Sequence, residues 1–334
     1  MYILGLESSC DETSAAVVEM GEGVRKIKSN IIASQIDTHR LYGGVVPEIA
    51  SRAHIEAISR ITYEALEVAG IELKDVGLVA VTSHPGLIGA LLVGVNFAKS
   101  LAFANNIPLV GVNHIKGHIA ANYLEFAELE PPFTALVVSG GHTSIYKVDD
   151  YTSLNEIGGT RDDAAGEAFD KIGRVIGLPY PAGAAMDKLA REGDKNAVAL
   201  PSPALAGDTL DFSFSGIKTA ALNYLNSAKQ SGTEINRADL AASYTEKIVS
   251  AVVKKTELAL LTSGSKKLVM AGGVAANSHL RAALEAMCAK RKVDFFVPPI
   301  SLCGDNAAMI AAAGYYKFLD GKTADTSLNA SALD

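Results

Sequence analysis

The chain carries one strand–turn–strand unit twice. Residues 2–6 (Tyr-Ile-Leu-Gly-Leu) read as a buried strand, residues 8–14 as a polar, hydroxyl-rich and acidic turn, and residues 15–18 as a second apolar strand. Residues 134–148 (Thr-Ala-Leu-Val-Val-Ser-Gly-Gly-His-Thr-Ser-Ile-Tyr-Lys-Val) repeat the arrangement around a small glycine turn. The two stretches share a pattern rather than residues, which points to an old duplication. Each is followed by alternating helices and strands. In the first half these are a helix over 54–69, a strand over 76–82, a helix over 91–104 and a strand over 109–112. In the second they are a helix over 240–262, a strand over 267–271, a helix over 277–289, a strand over 294–297 and a closing helix over 306–316. Alternation of this kind predicts an α/β fold. The 334 residues suffice for two domains, with Pro131-Pro132 as the joint.

Composition narrows the function. Formal net charge is −7, so a nucleic-acid ligand would need a local basic patch or a partner. Arg52, Lys99, Arg161, Lys171 and Lys218 are the cations available for such a patch. Cys10, Cys288 and Cys303 have no paired spacing, which suits a reducing compartment. Met1 leads directly into a strand, and the apolar runs Val76–Val81 and Leu87–Val95 fall short of the roughly 18 residues a membrane span needs. A soluble, cytoplasmic protein without a membrane segment is expected. Glycine is plentiful (30) and tryptophan absent, which favours close backbone approach over stacking platforms.

His114 and His118 lie just after an apolar strand ending at Asn113, a good helix N-cap. On a helix starting there the two imidazoles share one face and could hold a metal ion. The same spacing also fits two hydrogen-bonded core histidines. Position 115 is Ile, so the Glu of the His-Glu-x-x-His protease signature is missing. Asp305 precedes the last helix and is either a third metal ligand or that helix's N-cap.

Four loops suit a nucleotide. Ser139-Gly140-Gly141-His142-Thr143 is a glycine turn between two strands whose N–H groups can approach phosphate, although an ordinary hairpin turn reads the same way. Asp162–Lys171 holds four carboxylates; Asp162 and Asp163 could cap a helix there, and Asp170, further in, could accept from ribose hydroxyls. Gly183 and Asp187 follow in Tyr180–Asp187. Gly272-Gly273 leads from a strand towards a helix, with Asn277 offering an amide. Neither Gly-x-Gly-x-x-Gly nor a P-loop is present.

Taken in order, these segments closely resemble one family along nearly the whole chain: the universal tRNA adenosine threonylcarbamoyltransferase (TsaD) family, once misnamed O-sialoglycoprotein endopeptidase. The marks are Glu7-Ser8-Ser9-Cys10-Asp11-Glu12-Thr13, Gly43–Glu48, Pro85–Leu91, His114-x-x-x-His118 and Val138–Thr143. Asp162–Lys171, Phe212–Thr219, Gly272–Asn277 and Asp305-Asn306 complete the series. The resemblance implies two RNase-H-like lobes of the actin/sugar-kinase/Hsp70 superfamily with a nucleotide cleft between them. The N-terminal lobe would span 1–130, completed by the C-terminal helix over 306–330, and the C-terminal lobe 131–305. It implies one divalent metal on His114, His118 and Asp305, iron(II) first and zinc or magnesium as alternatives. It also implies threonylcarbamoyl-AMP, or ATP, ADP or AMP in its place, on Val137–Gly141, Asp170, Gly183, Asp187 and Asn277. The reaction implied moves threonylcarbamoyl to N6 of adenosine 37 in tRNAs reading codons that begin with A. The implied partners are tRNA, a shorter metal-free TsaB-like paralogue and a TsaE-like P-loop ATPase.

The chain departs from the family's usual pattern at His84 (usually Gly), Ala182 (usually Gly) and Ser202 (usually Arg). Asp11 and Glu12, at the tip of the first hairpin, are the candidates for accepting the N6 proton or orienting the amine. Three competing readings predict different behaviour. A metallopeptidase would cleave peptides, a small-molecule kinase would turn over ATP, and a nucleotide-sensing scaffold would tolerate loss of His114.

Overall fold

The computed structural model describes residues 1–333 except 204 and 206–208. The chain forms two units, one from residues 1–131, 150–153 and 298–334, the other from 132–149 and 154–297.

The first unit holds β1 (Tyr2–Glu7), β2 (Glu12–Gly21), β3 (Val24–Ser34), α1 (Ile36–Arg40), α2 (Pro47–Ala69), β4 (Val76–His84), α3 (Ile88–Asn105), β5 (Leu109–Asn113) and α4 (His114–Glu125). The second holds β6 (Phe133–Val138), β7 (Thr143–Val148), β8 (Leu154–Gly159), α5 (Ala165–Val175), α6 (Gly183–Ala190), α7 (Ser215–Ser231), α8 (Arg237–Ser263), β9 (Lys267–Ala271), α9 (Ser278–Arg291) and β10 (Asp294–Phe296). The closing helix α10 (Ala307–Leu319) belongs to the first unit.

The sheet orders are β3-β2-β1-β4-β5 and β10-β9-β6-β7-β8. In each, the first three strands are antiparallel neighbours and the last two add in parallel: β1 pairs β4 and β4 pairs β5, as β6 pairs β9 and β9 pairs β10. The strand–turn–strand repeat of the sequence therefore opens two sheets of the same topology. β1 and β6 are central and covered on both faces, which is why they read as unbroken apolar runs rather than alternating ones.

One face of the first sheet packs against α2 and α3, and α10 lies on the other. Two glycines let α10 approach the strands. A Cβ on Gly5 would stand 2.1 Å from the Ala307 carbonyl oxygen, and one on Gly314 would stand 2.4 Å from the Ala80 Cβ. The Ala307 N–H donates to Ser14 Oγ at 2.9 Å, tying the start of α10 to β2. These contacts fix Asp305, two residues before the helix.

Three expectations change. The first hairpin continues beyond residue 18 to Gly21, turns through Gly23 in the left-handed region (φ 69°) and pairs with β3, whose mixed polar sequence hid it. Asp162 and Asp163 do not cap α5, whose N-cap is Ala164. Asp162 Oδ1 instead accepts the N–H groups of Phe214 and Ser215 at 2.7 and 3.2 Å, which secures the start of α7. Finally, Leu87–Val95 is part of an 18-residue helix, α3, whose mean hydropathy of 1.4 is enough for a membrane span by length and composition. The glycines do not interrupt it, because Gly94 is where it meets Ser8: a Cβ there would lie 2.3 Å from Ser8 Oγ. Ala90, Leu91, Gly94, Val95, Ala98 and Ala102 bury one face of α3 in the core.

Candidate functional site

β5 ends at Asn113, whose Oδ1 accepts the Lys116 N–H at 3.0 Å, so α4 begins at His114 as its N-cap requires. One turn separates His114 from His118, and their rings meet edge-on with centroids 4.6 Å apart. Asp305 Oδ1 lies 3.5 Å from His114 Nε2 and 3.2 Å from His118 Nε2. One ligand atom from each of the three residues lies within 4.8 Å of the others. Asp305 is not the N-cap of α10; Asn306 is, its Oδ1 accepting from the Met309 N–H at 3.1 Å.

Two observations test whether this cluster suits a metal. His118 is 1% exposed, and among the described residues neither of its ring nitrogens makes a hydrogen bond, Nε2 having only the ion-pair contact with Asp305 at 3.2 Å. A buried unsatisfied polar atom costs about 1–3 kcal/mol, which a coordinated cation would offset. His114 is held in one orientation by Glu7, a residue the sequence reading passed over. His114 Nδ1 lies 3.0 Å from Glu7 Oε2, and Ser9 Oγ lies 3.2 Å from the same nitrogen. Glu7 is 1% exposed; its Oε2 also accepts from Thr82 Oγ1 at 2.7 Å, and its Oε1 accepts from the Ser9 N–H at 2.5 Å. Burial works to raise the Glu7 carboxyl, but the charge and hydrogen bond of His114 outweigh it and the net direction is down. In the neutral imidazole that can bind a metal, a carboxylate on Nδ1 keeps the one proton there and leaves the Nε2 lone pair facing Asp305 and His118. Two imidazoles and a carboxylate, one ring oriented by a second carboxylate, fit a divalent metal. In the sequence Glu7 stood out only as the first residue of the Glu7–Thr13 segment, at the end of a buried strand, with nothing to tie it to His114.

The tip of the first hairpin is in the same unit. Burial pushes Glu12 up to about 10, with Asp305 and Asp11 adding to the shift, so Glu12 carries a proton at neutral pH. Its Oε1 lies 3.1 Å from Ser34 Oγ.

In the second unit the glycine loops converge. The Ser139 N–H donates to the His142 carbonyl at 2.8 Å, closing the turn that exposes Gly140 and Gly141. Gly166 starts α5 against this turn: its N–H donates to the Ser139 carbonyl at 3.2 Å, and a Cβ on it would stand 2.5 Å from that oxygen. Gly272 closes in from β9 with φ 92°, and a Cβ there would lie 2.4 Å from the Val138 carbonyl oxygen. Both positions admit glycine alone.

The polar residues expected to meet a nucleoside also hold these loops. Asp170 Oδ1 accepts the Ala182 N–H at 2.6 Å, next to Gly183, where an added Cβ would meet nothing within 4 Å. Asp187 accepts from the Ser278 N–H at 3.0 Å, the Ser278 hydroxyl at 3.0 Å, His279 Nδ1 at 2.9 Å and Arg191 at 2.8 Å. Burial opposes these donors, but together they hold the Asp187 carboxyl below its ordinary value. Asn277 Oδ1 caps α9 through the Leu280 N–H at 2.9 Å. Asp187 and Asn277 thus fix the Gly272–Asn277 turn, and sequence alone did not reveal that framework role.

The sequence profile described as "TsaD: tRNA N6-adenosine threonylcarbamoyltransferase" matches residues 26–312. The chain belongs to the TsaD family. It is 54% identical over 328 residues to a tRNA N6-adenosine threonylcarbamoyltransferase of Clostridium botulinum (98% of this chain, 96% of that one). It is 52% identical over 328 residues to that of Clostridium perfringens, with the same coverage. Among solved structures it is similar to a HypF from T. kodakarensis (TM-score 0.64, 13% identity, covering 98% of this chain and 48% of that one). A ROK hexokinase from Thermus thermophilus is also similar (TM-score 0.52, 14% identity, covering 96% of this chain and 100% of that one). These likenesses show the actin/sugar-kinase/Hsp70-type fold. As a TsaD-family member the chain is a transferase acting in tRNA modification.

Against the TsaD pattern, Ala182 remains compatible because only its backbone N–H is used by Asp170. Ser202 is exposed, and nothing in the structure explains the loss of a cation there. The five cations expected to form a basic patch each have a local partner. Arg52 pairs with Glu48, Arg161 with Asp211, Lys171 with Asp163 and Glu167, Lys218 with Asp163, and Lys99 donates to the Leu328 carbonyl.

Proposed function

We propose that this transferase moves the threonylcarbamoyl group of threonylcarbamoyl-AMP onto N6 of adenosine 37 in tRNAs reading codons that begin with A. The observation that carries the reading is the cluster of buried His114 and His118 with half-buried Asp305, with Glu7 behind His114, in a chain of the TsaD family. The amine attacks the carbamoyl carbon, the bond from that carbon to the phosphate oxygen breaks, AMP leaves, and N6 gives up a proton.

His114, His118 and Asp305 would hold a divalent cation, and this donor set favours iron(II), with zinc the competitor, over the all-oxygen preference of magnesium. Bound there, the metal supplies Lewis acidity toward the oxygens of the mixed anhydride. The N–H groups of Gly140 and Gly141 donate to phosphate or carbonyl oxygen as charge develops. Val137, Val138 and Ser139 set the turn, Asp170 and Gly183 border the nucleoside, and Asp187 and Asn277 hold the second glycine turn in place. ATP, ADP or AMP would occupy the same loops. Glu12, protonated, orients the amine through a donated hydrogen bond, and Asp11 accepts its proton. Because the expected cations are paired within the chain, tRNA is held with the help of a shorter, metal-free TsaB-like paralogue, and a TsaE-like P-loop ATPase supports turnover. We place the reaction in the cytoplasm.

The test is single-turnover transfer from synthetic threonylcarbamoyl-AMP to an unmodified tRNA carrying A37, with the metal-loaded chain and both partners. Equimolar N6-threonylcarbamoyladenosine and AMP are expected, with no transfer when position 37 is G. Hydrolysis of the adenylate without transfer would overturn the reading.

Glu7→Gln keeps the volume and one donor–acceptor pair but removes the charge that fixes the His114 tautomer. Metal affinity, measured by competition with a chromophoric chelator, is expected to fall roughly 10- to 100-fold. An unchanged affinity would remove Glu7 from the metal site.

A further inference from the structure

Away from these groups, the first unit contains a recess of ≈ 80 Å³ lined by His84, Lys116, Tyr151, Thr152, Lys317 and Lys322, among others. Four separate segments supply these residues: the end of β4, the first turn of α4, residues 150–153 and α10 with its extension. Lys116 Nζ donates to the Thr152 carbonyl at 2.8 Å, Lys317 Nζ to the Gly111 carbonyl at 2.6 Å, and Lys322 Nζ lies 3.5 Å from Thr152 Oγ1. Three ammonium groups and an imidazole therefore border one small space. The carboxylate beside them, Asp320, is engaged by Lys322 and by Thr152 Oγ1. Asp150 Oδ1 accepts from the N–H groups of Thr152 and Ser153 and lies 3.1 Å from Thr152 Oγ1.

Like charges gathered in a recess repel; Asp320 offsets Lys322, and a bound anion would offset the remaining excess of positive charge. Lys317 registers the strain: burial first, then Lys116 and Lys322, hold its ammonium below the ordinary value. The recess is small and lined largely by polar side chains, which suits a hydrated tetrahedral oxyanion. Lysines binding as point charges with a hydroxyl beside them suit a phosphate group.

We propose that Lys116, Lys317 and Lys322, with His84 and Thr152, form a binding site for a phosphate-class oxyanion, separate from the metal ligands and the nucleotide loops. Lys116 sits on α4 midway between His114 and His118, so an anion there also braces the helix that carries both histidines.

The test titrates inorganic phosphate into the full chain at constant ionic strength and reads binding by calorimetry and ³¹P line broadening, with AMP as a second arm. Melting temperature alone is insufficient, because phosphate stabilises folded proteins non-specifically. Lys317→Met keeps the apolar stem and removes the charge; Lys322→Met, at an exposed position, serves if loss of the Gly111 contact prevents folding. Lys229→Met, on the exposed side of α7, is the control. Saturable phosphate binding weakened at least tenfold by Lys317→Met or Lys322→Met, and unchanged by Lys229→Met, supports the site. If AMP shows the same lysine dependence, the source is a phosphate monoester; if inorganic phosphate alone does, it is the free ion. No saturable binding, or equal weakening by all three variants, overturns the proposal.

Discussion

Asp305→Ala is expected to lose metal binding and transfer together while the fold survives. Asp305 supplies the one carboxylate of the ligand group, and two neutral imidazoles bind divalent iron poorly without it. Lewis-acid stabilisation is worth several kcal/mol, so a loss of about 4 kcal/mol, or ~10³ in single-turnover rate, is expected. Stability points the other way from a structural role. Asn306, not Asp305, caps α10, and the Asp305 charge raises both Glu12 and Cys10 by repulsion. Asp305 caps no helix among the described residues, so the metal-free variant should keep the fold and melt near metal-free wild type. Retained metal, or a destabilised apo-protein, would show that Asp305 serves the fold instead.

The second large effect concerns the proton on Glu12. Its carboxyl moves from an ordinary 4.5 to about 10 in the folded chain, mainly by burial. The folded state therefore binds a proton that the unfolded state releases between those values. That stability is complete below about pH 4.5 and is lost progressively as pH rises toward 10. By pH 7 the loss is on the order of 3 kcal/mol. Glu12→Gln keeps the hydrogen bonds of the protonated form and does not titrate. Urea melts of the metal-free proteins from pH 5 to 9 should show wild type weakening with pH and the variant much flatter, so that the variant is the more stable one at pH 8. Transfer should change only a few-fold in Glu12→Gln, whereas Asp11→Asn should lose roughly 10²–10⁴ if Asp11 is the base. A large loss in Glu12→Gln with Asp11→Asn close to wild type would return the proton to Glu12.

Much of this architecture could be read before the fold was known, for physical reasons. Central strands covered on both faces are short apolar runs, and caps such as Asn113, Asn277 and Asn306 mark helix starts through one side chain each. β3 was missed because a half-exposed strand with Lys, Arg and Ser along it lacks clean alternation. The helix over 91–104 begins three residues earlier, at Ile88, because Gly89 is where the helix meets Ser51. Within the site, spacing drew attention to His114 and His118, but the contact of Glu7 with a histidine 107 positions away depends on the parallel strands β1 and β5 ending at the same edge of one sheet, on either side of β4. Asp162 was visible as a capping residue, yet the helix it secures begins 53 residues later. Long-range partners of this kind leave no periodic trace in a sequence.

The central claim is that this chain makes N6-threonylcarbamoyladenosine with a metal on His114, His118 and Asp305. The most direct measurement depletes the protein in its host and quantifies that nucleoside in total tRNA by mass spectrometry, with wild type and His114→Ala restored at matched expression. The nucleoside is expected to fall on depletion, to return with wild type, and to stay low with His114→Ala. An unchanged level after verified depletion, or full rescue by His114→Ala, would contradict the account.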